Sequence, residues 1–236
     1  MNRPRILDPR VVPVVGIDNH LPPVPRANLH AVALRRRFAA APLWQPEITG
    51  DGRPFGQREL AYAAVLVALV QRPTTDQDNG LHVLLTLRTE HLRDHGGQIS
   101  FPGGRCEPQD AGPAATALRE AEEEVGLPHT QVEVIGQLPA YTTVTSFVVT
   151  PVVALVQTPY ALALDSFEVA EAFEVPLAWL MNPAHHRRHL VTYEGDQRQF
   201  LSMPYMGQGA DGQPREYFIW GATAAMLRNL YHFLSA

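Results

Sequence analysis

Gly103 to Leu127 reads GGRCEPQDAGPAATALREAEEEVGL, and its two halves differ in character. Gly103, Gly104, Pro108 and Gly112 make the first half a loop. Pro113 suits the first turn of a helix and Gly126 its end. Between them, Ala114, Leu118, Ala121 and Val125 recur at spacings of four, three and four, the apolar stripe of a packed helix. At about 100° per residue, Glu120, Glu123 and Glu124 share another face, while Glu122 points away. Three carboxylates therefore converge beside a glycine loop.

Such a patch is electrostatically costly. Asp110 to Leu127 holds five acids and one base, whereas the whole chain carries a net charge of only −5. Glu120 and Glu124, four residues apart, repel each other on a bare helix. A hard divalent cation would turn that repulsion into binding, because Mg²⁺ takes carboxylate oxygens together with substrate phosphates and water. A solvated acidic helix face fits the same pattern. The adjoining glycine loop favours the metal.

The run Arg119-Glu120-Ala121-x-Glu123-Glu124-x-Gly126-Leu127 resembles the Nudix box, G-x5-E-x7-R-E-U-x-E-E-x-G-U with U apolar. The second half matches at every fixed position. In the first half, Asp110 stands where the box has its first glutamate, and the spacing to Arg119 is one residue longer. Upstream, Leu84 to Arg105 (LLTLRTEHLRDHGGQISFPGGR) resembles the signature of the coenzyme A pyrophosphatase branch of the Nudix hydrolases. Glu168 to Leu177 and Ile219 to Leu230 resemble that branch too.

The resemblance implies an α/β Nudix-type α/β/α sandwich with a mixed β-sheet over residues 28–236. It implies metal-dependent cleavage of the pyrophosphate of coenzyme A or its acyl forms, giving adenosine 3′,5′-bisphosphate and 4′-phosphopantetheine. Hydrolysis of another nucleoside diphosphate derivative, such as ADP-ribose or NADH, is the alternative. A catalytically silent binding module is a third reading. The implied cofactor is Mg²⁺ or Mn²⁺, held by Glu120, Glu123 and Glu124, with Glu120 and Glu124 as direct ligands. Arg119 is implied as the residue that orients the catalytic acids. The general base is left open among Glu120, Glu123 and three glutamates outside the box, Glu168, Glu171 and Glu174. Gly103 and Gly104 let backbone approach a phosphate or metal closely. Arg88, Arg93 and Arg105, with His95, are the candidate phosphate contacts, since guanidinium matches phosphate geometry.

The rest of the chain sets bounds. Its 236 residues and 45% apolar content fit one domain with a sizeable core. The weakly acidic balance argues against nucleic acid as a partner, which calls for a basic face. The single cysteine, Cys106, excludes an internal disulfide and fits a reducing, cytoplasmic setting. No apolar run is long enough for a membrane span, and no secretory leader is read. Residues 1–27 are proline-rich and are expected to form an extended arm. A homodimer, with the arm reaching across it, fits the chain.

Asn28 is expected to cap a helix ending near Phe38, with Arg35, Arg36 and Arg37 as helix-end charges. Ala61–Val70, Leu81–Arg88, Gln98–Phe101, Gln131–Tyr141 and Phe147–Gln157 read as strands. Glu168–Phe173 reads as a turn or short helix. The group His185, His186, Arg187, Arg188 and His189 reads as a solvated loop leading into a hairpin of residues 188–201. Ala222–Leu234 reads as a closing amphipathic helix.

Overall fold

The computed structural model describes residues 6, 8–51, 59–73, 80–91, 96–193 and 196–236. In chain order its elements are β1 (Val14–Ile17), α1 (Ala31–Ala39), β2 (Ala61–Gln71), β3 (Leu81–Arg88), β4 (Ile99–Ser100), β5 (Gly103–Arg105) and α2 (Pro113–Val125). There follow β6 (Val132–Gln137), β7 (Tyr141–Thr142), β8 (Phe147–Val156), β9 (Val169–Pro176) and α3 (Leu177–Leu180). The last are β10 (Arg187–Tyr193), β11 (Asp196–Gln208), β12 (Pro214–Trp220) and α4 (Gly221–Ser235).

β2 is apolar almost throughout because both of its faces are covered. Ala64, Leu66, Ala68 and Val70 join Ala117, Ala121 and Val125 of α2 in one core. Ala63, Val67 and Leu69 face a second core on the other side, built with α1, α3, α4 and parts of β11 and β12. Burying one such Val or Leu fully is worth about 1.5–3 kcal/mol. β8 runs parallel to β2, from Ala61 opposite Phe147 to Val70 opposite Val156. The other pairings are antiparallel, so the eight-stranded sheet is mixed, in the order β4-β3-β2-β8-β6 with β5, β7 and β9 attached. Helices lie on both of its faces, as the expected sandwich requires.

A four-stranded antiparallel sheet, in the order β1-β10-β11-β12, accompanies it. Val14–Ile17 of the proline-rich segment is one of its strands, paired with Arg187–His189. No helix among the described residues is long and apolar enough to cross a membrane.

Several expectations need correcting. His30, not Asn28, caps α1, its Nδ1 accepting from the Ala33 amide at 3.3 Å. Arg36 and Arg37 do stand in the last turn of α1, as expected; Arg37 in addition donates to the carbonyls of Phe233 and Leu234, and Arg35 pairs with Glu133 at 2.6 Å. The 131–141 strand is two strands: β6 ends at Gln137 after a bulge between Val134 and Gly136, and β7 begins at Tyr141 and pairs separately with β8. Of Glu168–Phe173 only Glu168 lies in a turn; from Val169 on the segment is β9, which pairs with β3.

The histidine group is not a solvated loop either. His186 is fully buried and His189 nearly so. The Leu180 carbonyl lies 2.7 Å from Nε2 of His186, so Nε2 carries the proton and Nδ1 accepts from Arg228 at 3.0 Å. Burial lowers the His186 pKa to about 4, which keeps the ring neutral.

Candidate metal and phosphate site

α2 forms where the sequence places it. Pro113 occupies its first turn, and Gly126 ends it in the left-handed conformation at φ 68°. The apolar stripe fixes the roll of the helix against β2, and that roll directs Glu120 and Glu124 at β5. The stretch Gly103–Arg105, expected as loop, is a short strand paired with Ala63–Val65.

The two glycines of β5 do different work. A Cβ on Gly104 would lie 2.5 Å from the carboxyl carbon and both oxygens of Glu120. The Glu120 carboxylate is thus seated directly on the Gly104 backbone. A Cβ on Gly103 would instead meet the Ala64 carbonyl oxygen at 2.4 Å and Val65 Cα at 2.6 Å. Gly103 also donates its N–H to Glu124 Oε2 at 3.1 Å.

Glu124 is 4% exposed. Burial pushes its carboxyl up to about 7, against the opposing pull of the Gly103 N–H and Arg88. Burial also raises Glu120. Glu168 adds to both shifts through its charge, so Glu120, Glu124 and Glu168 feel one another.

Two arginines hold this patch together. Arg88 Nη1 lies 3.3 Å from Glu124 and its Nη2 3.5 Å from Glu168. Arg119 grips Asp110 with two hydrogen bonds of 3.1 Å, reaches Glu123 at 2.8 Å and Glu120 at 3.1 Å, and donates to the Arg105 carbonyl at 3.0 Å. The Asp110 carboxyl is held well below its ordinary range by that guanidinium. The longer loop with its shorter acid therefore still closes on Arg119. Asp110 also accepts from Thr116 at 2.8 Å and from the Glu107 amide at 2.9 Å, which pins the loop to the first turn of α2.

The other expected residues are distributed as follows. Glu123 is largely exposed and bound to Arg119. Glu122 points away, towards His129. Arg105 is exposed, its guanidinium 5.0 Å above the Phe147 ring. Arg93 and His95 lie outside the described residues. Glu171 accepts from Arg215, Tyr217 and the Ala210 amide, and Glu174 from Arg72 and Tyr160. Both are engaged away from α2, which leaves Glu168 as the glutamate from outside the box at the patch.

No group of three His, Cys, Asp or Glu side chains among the described residues already stands in a metal-holding arrangement. The arginines sit between the acids instead. The donor set nevertheless suits a hard cation. Glu120 and Glu124 are one turn apart, desolvated and mutually repelling, and the Gly104 backbone leaves the Glu120 oxygens their space.

Gly104→Ala tests that seat. The side chain it strikes is flexible, so the fold should survive while the Glu120 carboxylate moves. Displacing a catalytic group by about 1 Å can cost about a hundredfold in rate, so kcat should fall by about that factor with the melting temperature little changed. Gly103→Ala meets fixed backbone and should lower the melting temperature first. Equal melting losses in the two variants would remove the distinction.

A mixed sheet between helices, with a carboxylate helix packed beside a glycine strand, defines an α/β fold, and the family comparison names it. The NUDIX domain model matches residues 61–194, more than half of the chain. A protein of Shigella flexneri serotype 5b described as the uncharacterized Nudix hydrolase NudL is 39% identical over 190 residues, covering 80% of this chain and 88% of that protein. The protein of the same description from Escherichia coli K12 (DH10B) is 41% identical over 170 residues, 71% and 80% of the two chains. A solved Nudix hydrolase of M. smegmatis, RenU, is 24% identical over 51% of this chain and 73% of its own, with a TM-score of 0.42. The chain belongs to the Nudix family. It is a hydrolase of pyrophosphate bonds in nucleoside diphosphate derivatives.

Proposed function

We propose that this Nudix hydrolase cleaves the pyrophosphate of coenzyme A or acyl-coenzyme A, releasing adenosine 3′,5′-bisphosphate and 4′-phosphopantetheine or its acyl form. The observation that carries the reading is the upstream block Leu84 to Arg105. It runs from β3 through β4 to β5, with Arg88 and the Gly103 and Gly104 backbone beside Glu124 and Glu120, and the Arg105 carbonyl accepting from Arg119.

Glu120 and Glu124, with Glu123, are the residues proposed to hold Mg²⁺ or Mn²⁺. When bound, the cation neutralises phosphate oxygens and acidifies a water. Arg119 positions Glu120 and Glu123 and ties them to the loop through Asp110. The proton of the attacking water falls to a carboxylate of this patch, Glu120, Glu123 or Glu168. Arg105 offers an exposed guanidinium to a phosphate, and Arg88, beside Glu124 and Glu168, is the second guanidinium at the patch.

The test is hydrolysis of coenzyme A, ADP-ribose and NADH side by side, with Mg²⁺ or Mn²⁺ and with chelator. Metal-dependent release of adenosine 3′,5′-bisphosphate, faster than cleavage of the other two, is the expected outcome. Preference for ADP-ribose or NADH would keep the family chemistry and discard coenzyme A.

A further inference from the structure

Phe167 is 65% exposed, yet it is not loosely held. Its N–H donates to Asp165 Oδ1 at 2.9 Å, and its carbonyl accepts from Thr89 Oγ1 at 2.8 Å. The residue after it, Glu168, accepts at its carbonyl from the Thr89 amide at 3.0 Å. The segment before it is fastened to the C-terminal turn of α2. Ala163 N–H donates to the Val125 carbonyl at 3.0 Å and Asp165 N–H to the Glu124 carbonyl at 2.9 Å. Gly126 permits this closeness, since a Cβ there would lie 2.9 Å from Ala163. The ring itself meets His91 at a centroid distance of 4.8 Å, edge to face.

One exposed phenyl ring is ordinary on a protein surface. Phe167 differs in its setting: its backbone is tied to Thr89 and Asp165, Asp165 is tied to the carboxylate helix, and its ring packs on His91. Here the neighbouring residue is Glu168, at 3.5 Å from Arg88, which in turn reaches Glu124. Every nucleobase has a π-face, so a fixed aromatic ring beside a phosphate site suits the base of a nucleotide.

We propose that Phe167, braced by His91, is the platform on which the nucleobase of the substrate stacks. This rests on the reading of the α2 patch as the pyrophosphate site. Phe167 then sets the preference for nucleoside derivatives over other diphosphates without entering the chemistry. Because α2 carries both the acids and the anchor of the platform, the base and the scissile bond are registered to one rigid element.

The experiment compares the full natural chain with Phe167→Ala, Phe167→Trp and Tyr62→Ala. Tyr62, 64% exposed on β2 beside the end of β5, is a second strongly exposed aromatic among the described residues. Two substrates are used: ADP-ribose, and a diphosphate diester of two ribose units that lacks the adenine. Base–aromatic stacking corresponds to about a fivefold change in affinity at the low end of its range. Phe167→Ala should therefore raise KM for ADP-ribose at least about fivefold, leave kcat nearly unchanged, and leave KM for the base-free diester unchanged. Phe167→Trp should retain a KM near that of the natural chain. The introduced indole should also give saturable quenching on titration with adenosine 3′,5′-bisphosphate in chelator, after subtraction of the natural chain's own tryptophan signal.

An unchanged KM in Phe167→Ala, an equal rise on the base-free diester, or a rise confined to Tyr62→Ala would overturn the proposal. So would quenching no greater than in the natural chain. If the natural chain cleaves neither of these nor coenzyme A, the pyrophosphate reading fails. The metal-free quenching titration still decides whether Phe167 meets a nucleobase.

Discussion

Glu124→Gln is expected to reduce metal-dependent hydrolysis by about a thousandfold or more, since losing a metal ligand removes several kcal/mol of charge stabilisation and about 4 kcal/mol corresponds to that factor. The amide oxygen can still accept the Gly103 N–H, so β5 and α2 stay joined. The same substitution should not weaken the metal-free fold. The Glu124 carboxyl, at about 7 against an ordinary 4.5, holds its proton more tightly in the folded chain than in the unfolded one. Its stabilising contribution is therefore complete below about pH 4.5 and is lost as pH rises through 7. In chelator, the natural chain should lose stability across that window, and Glu124→Gln should lose less. The melting temperature of the variant should match the natural one at pH 4.5 and equal or exceed it at pH 8. Added Mn²⁺ should raise the melting temperature of the natural chain at pH 8 more than that of the variant. Activity within tenfold of the natural rate would remove Glu124 from the ligand set.

Arg228→Ala should give the largest loss of stability, about 3–5 kcal/mol, the usual effect of removing one partner from a buried ionic group. Arg228 is 1% exposed on α4. Its Nε donates to Glu47 Oε2 at 2.6 Å, its Nη1 donates to His186, and its Nη2 lies 3.2 Å from Asp18 Oδ2. Arg188 completes the group, at 2.7 Å from both Asp18 and Glu47. Without Arg228, the almost wholly buried Asp18 keeps one cation, and the His186 Nδ1 loses its donor. At roughly 2–4 °C per kcal/mol for a chain of this size, the melting temperature should fall by about 10 °C. Pyrophosphatase activity at low temperature should persist, because α4 lies on the sheet face opposite α2. Urea denaturation of the single variants and of the pair Asp18→Asn/Arg228→Gln would measure the coupling. A loss below about 1 kcal/mol in Arg228→Ala would mean that the group is solvated rather than buried.

Legibility followed the range of the forces involved. α2 could be read because its signals are local: a proline in the first turn, a glycine at the end and an apolar stripe between. β2 and β8 could be read because strands covered on both faces are apolar runs. β9 was lost because Glu168, Glu171 and Glu174 recur at a helical spacing of three. The true pattern is the alternation of Val169, Glu171, Phe173 and Val175, all buried. Glu171 can be buried only because Arg215 and Tyr217, more than forty residues away, meet it. The histidine group fails for the same reason. Its partners are Arg228 and Ser202, and composition alone marks such residues as polar loop. At the site, the RE..EE pattern marks the acids. The placement of Arg88 between Glu124 and Glu168 depends on how β3, β9 and α2 meet, which no local pattern carries.

The ionic group under α4 also orders events during synthesis. Asp18 and Glu47 emerge from the ribosome long before Arg228, and the core face that α4 covers stays bare until then. Domains tend to mature from the N-terminal side as they are made. The α2 side of the sheet can close early in that sequence, but the opposite side must wait for α4. A nascent chain paused before residue 221 would thus carry its carboxylate patch on a half-covered sheet, its second core bare until α4 arrives.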